Sequence, residues 1–290
     1  MSIRQLAKNI YTFVSLRLFK NKIGVLPNLL HFGYSTILKI SGQTASSLAG
    51  EELRQNGYVK LPPFLAKERV QQISEKLDSL FADEAKTKLG LKERGLIRLQ
   101  KSMLDLPEAE EFLHSPIVRD ALRNYYGSSF KIFKCDIFRI FPVKNSEQEI
   151  SSMRWHFDNM PRSLVKFMIY LTDTTKETGA TAMLPKLISR KLQLEGFWDR
   201  HKSTRFEMEI LKNCEVIEGN AGTGIFFAPQ FCIHRGTLPE KKWRDVIVFE
   251  LYPTKEEFKE LSEQQREEYS HDYDGYILNP FTGKSIRNNY

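Results

Sequence analysis

The hydrophobic period of this chain changes once, near Phe130, and that change constrains the fold most. Before it, apolar residues recur at helical spacing. Val70, Ile73, Leu77, Leu80 and Phe81 predict an amphipathic helix over residues 66–82. Residues 51–57 read as a short helix ended by glycine, and Tyr58 to Leu61 as a strand stopped by Pro62-Pro63. Ser115-Pro116 opens another helix, which ends at Gly127. From Phe130 the period is two. Strands are predicted over residues 130–143, 164–171, 180–184, 225–228 and 245–252. In residues 164–171, Lys166, Met168 and Tyr170 share one face, while Val165, Phe167, Ile169 and Leu171 share the other. Turns and long loops separate these strands, which points to an antiparallel sandwich or barrel. The architecture is mainly β with helices: an N-terminal helical layer, then a jelly-roll core with a mouth where a small ligand sits. Thr254 with Glu257 forms a capping box that opens a polar helix to about residue 269. The tail after Asp274 carries no clear signal.

Charge and cysteines narrow the function classes. The net charge is +7, yet Arg4, Lys8, Arg17, Lys20, Lys22 and Lys39 precede the first acid, Glu51. The body is therefore almost neutral, which argues against a nucleic-acid-binding face. Three widely spaced cysteines, Cys135, Cys214 and Cys232, form neither a disulfide framework nor a CxxC zinc motif. A reducing compartment, and hence a cytoplasmic location, is expected. No apolar run is long enough to span a bilayer, and the start is not patterned as a secretory signal. Residues 1–48 form a basic, apolar extension with Leu6, Ile10, Phe13 and Val14 at helical spacing, and residues 49–290 form one domain. The extension reads first as a helix packed on the body. Weak contact with an anionic membrane surface, or an organellar transit peptide, has the same pattern.

His156-Phe157-Asp158 is the first chemical signal. In extended chain, residues i and i+2 point the same way, so His156 and Asp158 can ligate one metal. Six histidines and eleven aspartates in 290 residues give about 0.2 such triplets by chance, so a third ligand is required. His234, on an apolar strand leading into a loop, supplies it. Two imidazoles and one carboxylate leave three positions open on a non-haem iron. Arg244, ten residues on, heads the next strand. Its guanidinium can meet the far carboxylate of a chelating dicarboxylate with two parallel hydrogen bonds.

These pieces together resemble the phytanoyl-CoA dioxygenase family of iron(II)/2-oxoglutarate oxygenases. The resemblance runs from Gly57-Tyr58-Val59-Lys60-Leu61-Pro62 through Trp155 to Asp158, Lys166 to Asp173 and Gly179 to Pro185, ending at His234-Arg235-Gly236 with Arg244. It implies a double-stranded β-helix fold, iron(II) at His156, Asp158 and His234, and the co-substrate 2-oxoglutarate at Arg244, with dioxygen as the second co-substrate. Two departures stand out. Pro185 is followed by Lys186-Leu187-Ile188-Ser189, so the substrate-side loop is built differently. Asp245 and Val246 follow Arg244 where a small hydroxyl residue is often found, so Lys166 or Tyr170 is the candidate second co-substrate contact.

The expected reaction is oxidative decarboxylation of 2-oxoglutarate coupled to hydroxylation of an unactivated C–H bond. The presence of Asp158 favours hydroxylation over halogenation, while desaturation and cyclisation depend on pocket shape. The substrate is expected to be a small molecule or the reactive part of a carrier- or lipid-linked one. The rival readings are a non-catalytic jelly-roll ligand binder and a membrane-peripheral protein that retains the metal site. For single residues the plain readings are packing for Trp155 and a small buried hydrophobe for Cys232. Arg235 could reach an acidic substrate. His31, His114, His201 and His271 have no partner visible in sequence.

Overall fold

Strand parity builds the centre of the molecule. The computed structural model describes residue 14 and residues 25–42, 45–88, 95–143, 151–197, 204–270 and 276–287. Helix α1 (Val25–Ser41) and helix α2 (Leu48–Asn56) lead into strand β1 (Tyr58–Leu61), followed by α3 (Lys67–Ala82), β2 (Thr87–Lys88) and β3 (Leu96–Leu99). The short turns α4 (Ser102–Asp105) and α5 (Glu111–His114) precede α6 (Pro116–Tyr126) and the long strand β4 (Ser129–Ile140). Then come β5 (Val165–Tyr170), β6 (Thr181–Met183), α7 (Lys186–Leu194), α8 (Glu207–Asn213), β7 (Glu215–Ile217), β8 (Gly224–Phe227), β9 (His234–Arg235) and β10 (Arg244–Thr254). Helix α9 (Glu263–Tyr269) and a hairpin of β11 (Tyr276–Leu278) and β12 (Ser285–Arg287) complete the described chain.

The major sheet has seven strands in the order β1-β8-β5-β10-β4-β3-β2, and the minor sheet has three in the order β7-β6-β9. All pairings are antiparallel. Together they make the double-stranded β-helix core. In the major sheet, Val165, Phe167 and Ile169 on β5 and Ile247, Phe249 and Leu251 on β10 point away from the minor sheet. They pack against Val70, Ile73 and Leu77 of α3 and Val118, Ala121 and Leu122 of α6. The opposite row, Met168, Tyr170, Val246 and Val248, meets Met183 and Ile217 of the minor sheet. The alternation in residues 164–171 is thus two-sided: helices cover one face and the second sheet the other. A register shift beside Glu250 inserts Phe133 as an extra residue in β4. Lys134 and Asp136 therefore keep the inner parity while Ile132 joins the outer core.

The helices end where glycine allows it. Gly57 and Gly127 sit at φ of 82° and 67° and donate their N–H back to Leu53 and Arg123. At Gly57 a side chain would also strike Cys232 Sγ, so glycine is required there twice over.

One predicted element moves. The helix expected to open at Thr254 begins instead after Ser262, whose hydroxyl caps Gln265 N while Gln265 reaches back to Ser262 N. Thr254 is still strand, paired with Ser129, and Glu257 is held by Arg123 and Arg119. Both segments carry a capping-box pattern. Burial of Phe258 and Leu261 in the core keeps the intervening chain irregular rather than helical, so the second box is the one used. Helices α7 and α8 and the tail hairpin have no counterpart among the predicted elements. The expected helical spacing at Leu6, Ile10 and Phe13 lies outside the described residues. No helix among the described residues is long and apolar enough to cross a membrane.

Candidate metal centre

The minor sheet brings the three donors together. His234 opens β9, and His156 pairs with it as an isolated antiparallel bridge, each donating its N–H to the other's carbonyl at 3.0 Å. Asp158, two residues on, is anchored by its own N–H to Pro229 O. His156, Asp158 and His234 thus converge, with one ligand atom of each within 4.8 Å of the others, the one such cluster among the described residues. His156 Nε2 lies 3.3 Å and His234 Nε2 3.9 Å from Asp158 Oδ1.

The backbone sets both imidazole tautomers. His156 Nδ1 sits 2.6 Å from Arg154 O, and His234 Nδ1 sits 2.9 Å from Cys232 O. A carbonyl can only accept, so each Nδ1 carries the proton and each Nε2 presents a lone pair to the cluster. Burial holds His234 neutral, with its pKa lowered to about 3, and the neighbouring His156 pushes the same way. For Asp158 burial alone would raise the pKa. The charge of Lys166 outweighs it and holds the carboxyl well below its usual range. Two neutral imidazole nitrogens and a carboxylate oxygen fit a divalent iron with open positions.

The cluster lies in a cavity of about 210 Å³ between the sheets. Arg244 is 1% exposed and lines the same cavity. Its Nη1 donates to Gly179 O and, at 3.2 Å, to Thr181 Oγ1, while its Nε has no partner. Burial lowers the guanidinium pKa, the mark of a charge in need of an anion. Asp245, next in sequence, faces the other way and is clasped by Arg139 at 2.7 and 2.6 Å. The hydroxyl beside Arg244 therefore comes from β6, as Thr181, a residue the sequence reading did not single out.

Lys166 and Tyr170 share the predicted face of β5 but have different surroundings. Lys166 lines the cavity, and its ammonium is taken by Asp158 Oδ2 at 2.7 Å and Glu250 Oε1 at 3.2 Å. Tyr170 is fully buried outside the cavity lining. Its hydroxyl donates to Ile217 O and accepts from Thr181 N, and its ring lies under the Arg244 guanidinium at 5.9 Å.

Trp155 is buried under the Arg235 guanidinium at 4.6 Å, and the Arg235 Nε is buried without a partner. Cys232 is a buried thiol against Asn56 O whose pKa burial pushes up; its contribution to the site is its carbonyl. His31 bridges Ser163 Oγ and Leu278 O at 2.8 Å each, and His114 meets Glu110 at 3.0 Å. His201 and His271 lie outside the described residues.

Three further residues face the cavity from the major sheet: Arg98, Asp136 and Glu250. Glu250 lies six residues beyond Arg244 on one strand, so even spacing alone places both on one face. Glu250 Oε2 and Arg98 Nε are buried without partners. Where the segment after Pro185 departs from the pattern, α7 fills the space. Ser189 on it accepts from Ile233 N at 2.9 Å and donates to Leu184 O, bracing the strand that carries His234.

A family model described as Phytanoyl-CoA dioxygenase (PhyH) matches residues 53–236. No curated protein matches the chain. Among solved structures, the non-heme alpha ketoglutarate dependent epimerase SnoN of nogalamycin biosynthesis aligns with a TM-score of 0.54 at 16% identity, covering 71% of this chain and 81% of that one. The carbocyclase SnoK of the same biosynthesis aligns at 0.54 and 16%, covering 73% and 87%. EctD from S. alaskensis, solved with bound Fe, aligns at 0.51 and 14%, covering 73% and 78%. At such identities the likeness is one of fold.

Proposed function

Since this chain belongs to the phytanoyl-CoA dioxygenase family, oxidoreductases that work with iron(II), 2-oxoglutarate and dioxygen, we propose that it hydroxylates an unactivated C–H bond of a small polar substrate. The observation that carries the reading is the pairing of a preset donor cluster with a buried, incompletely partnered guanidinium in one small cavity. We assign His156 Nε2, His234 Nε2 and Asp158 Oδ1 as the iron ligands. Bound iron supplies the chemistry of dioxygen activation, coupled to decarboxylation of the 2-oxo acid.

The chain's own residues do the rest. Arg244, with the Thr181 hydroxyl beside it, meets the distal carboxylate of 2-oxoglutarate and offsets its own desolvation by doing so. Tyr170 holds Arg244 in place from beneath. Lys166 is a positioning residue: it occupies Asp158 Oδ2, leaves Oδ1 facing the metal, and passes its remaining charge to Glu250. Phe138, Met168, Phe227 and Val248 exclude water from the cavity. Arg98, Asp136 and Glu250 present charges of both signs to the substrate. A volume of about 210 Å³ holds a small molecule, or only the reacting end of a carrier-linked one. Residues 49–290 are the catalytic unit in this reading, with residues 1–48 accessory to it. SnoN and SnoK are described as an epimerase and a carbocyclase on a similar fold, so the outcome is set by which C–H bond the walls present.

The test is succinate release by the iron-loaded protein with 2-oxoglutarate and a panel of small polar substrates. Turnover is expected with one of them and is lost in His156→Ala. Unchanged turnover in that variant sinks the proposal.

A further inference from the structure

Helix α1 is amphipathic the wrong way round for a helix docked on a protein. Its inward face buries Pro27, Asn28, His31 and Leu38. His31 is fixed there by Ser163 and Leu278 and lies 4.9 Å from the Tyr252 ring. At about 100° per residue, Leu26, Leu29, Gly33, Ile37 and Ile40 fall within about 80° of one another, opposite that buried face. The large ones are exposed: Leu26 56%, Leu29 52%, Ile37 46% and Ile40 82%, with Phe32 beside them at 65%. Phe281, 52% exposed in the tail hairpin, extends the patch through an edge contact with Tyr34 at 5.1 Å. Single exposed apolar residues are ordinary, but a continuous stripe on a rigidly anchored helix is not.

The charge of the sequence leading into α1 indicates what covers it. The first fifty residues hold six Lys or Arg and no Asp or Glu. Five of those basic residues precede α1, and Lys39 lies on it. A protein partner that covered only the apolar stripe would gain nothing from that acid-free basic stretch. An anionic lipid surface satisfies both features at once, taking the apolar side chains at the acyl boundary and the cations at the headgroups. We propose that the outer face of α1 docks the enzyme on an anionic membrane surface, with residues 1–24 adding electrostatic attraction. This docking is independent of the metal assignment.

The experiment is co-sedimentation of the full chain with phosphatidylcholine vesicles, with and without phosphatidylserine, comparing wild type with Leu29→Asp/Ile40→Asp. The wild type is expected to pellet with the anionic vesicles, to stay in solution with the neutral ones, and to be released by salt. The double variant is expected to bind roughly a hundredfold more weakly, because each of the two buried apolar side chains contributes about tenfold. Both positions are exposed, so its thermal midpoint and its 2-oxoglutarate binding stay those of wild type. Absence of wild-type binding, or equal binding by the variant, overturns the proposal. So does a wild-type dimer in sedimentation equilibrium that the variant dissolves, since the stripe would then belong to a second copy.

Discussion

Replacing Arg244 with methionine tests the co-substrate assignment without touching a metal ligand. Methionine keeps an unbranched apolar stem over the Tyr170 ring and removes the fork. In the protein alone, Gly179 O and Thr181 Oγ1 lose their donor, which costs about 1–3 kcal/mol per group left unpaired. Removing a buried guanidinium whose Nε has no partner offsets part of that cost. The folded state is therefore expected to shift by only a few degrees in thermal midpoint. Co-substrate binding should suffer far more. Two charge-assisted hydrogen bonds contribute about 1.5–3 kcal/mol each. Losing both costs at least about 3 kcal/mol, or roughly 10²-fold in affinity. The assay is anaerobic calorimetric titration of 2-oxoglutarate into iron-loaded protein, which needs no knowledge of the substrate. Arg244→Lys keeps the charge but not the fork and should fall between wild type and Arg244→Met. A dissociation constant for Arg244→Met within about threefold of wild type would refute the assignment, given tenfold per 1.4 kcal/mol.

Three other outcomes follow from the geometry. Asp158→Asn removes the anionic ligand and leaves the Lys166 ammonium beside a neutral amide, so iron retained after desalting, measured by elemental analysis, drops to background. Ser189→Ala leaves Ile233 N–H without its acceptor and loosens the strand bearing His234, so urea unfolding reports a loss of about 1–3 kcal/mol and iron affinity weakens. His31 gives the stability a pH dependence. Burial lowers its pKa from 6.5 to about 4 in the folded state, so below 6.5 the unfolded chain binds the extra proton. Stability is complete above pH 6.5 and declines as the pH falls towards 4, by about 3 kcal/mol at 1.36 kcal/mol per pH unit. Unfolding of His31→Gln followed over that range is expected to lack this component, and an unchanged slope would count against it.

The strand faces and the three donors were legible in the chain because both depend on local spacing. Side chains of residues 164–171 fall alternately on two faces, and β5 keeps both faces mainly apolar because each meets an apolar layer. Glycine marked the ends of α2 and α6 because only it adopts a positive φ there without strain. His156 and Asp158 share a face through extended geometry alone. The capping box at Thr254 misled because two such patterns lie close together, and burial of Phe258 and Leu261, a tertiary effect, selects the later one.

By itself, then, the order of residues determined the antiparallel core, the His-x-Asp pair, the distal histidine and the arginine after it. The tertiary structure alone decided who neighbours whom across sheets. It gave Arg244 its hydroxyl from Thr181 rather than from its own strand, turned Lys166 towards Asp158, and closed Tyr170 beneath the guanidinium. It also set both histidine tautomers through Arg154 O and Cys232 O, and turned the apolar face of α1 outwards. The physical reason is the same in each case. Periodicity states which residues share a face, but the partner of a buried polar group is whatever donor or acceptor the packing brings within about 3 Å of it.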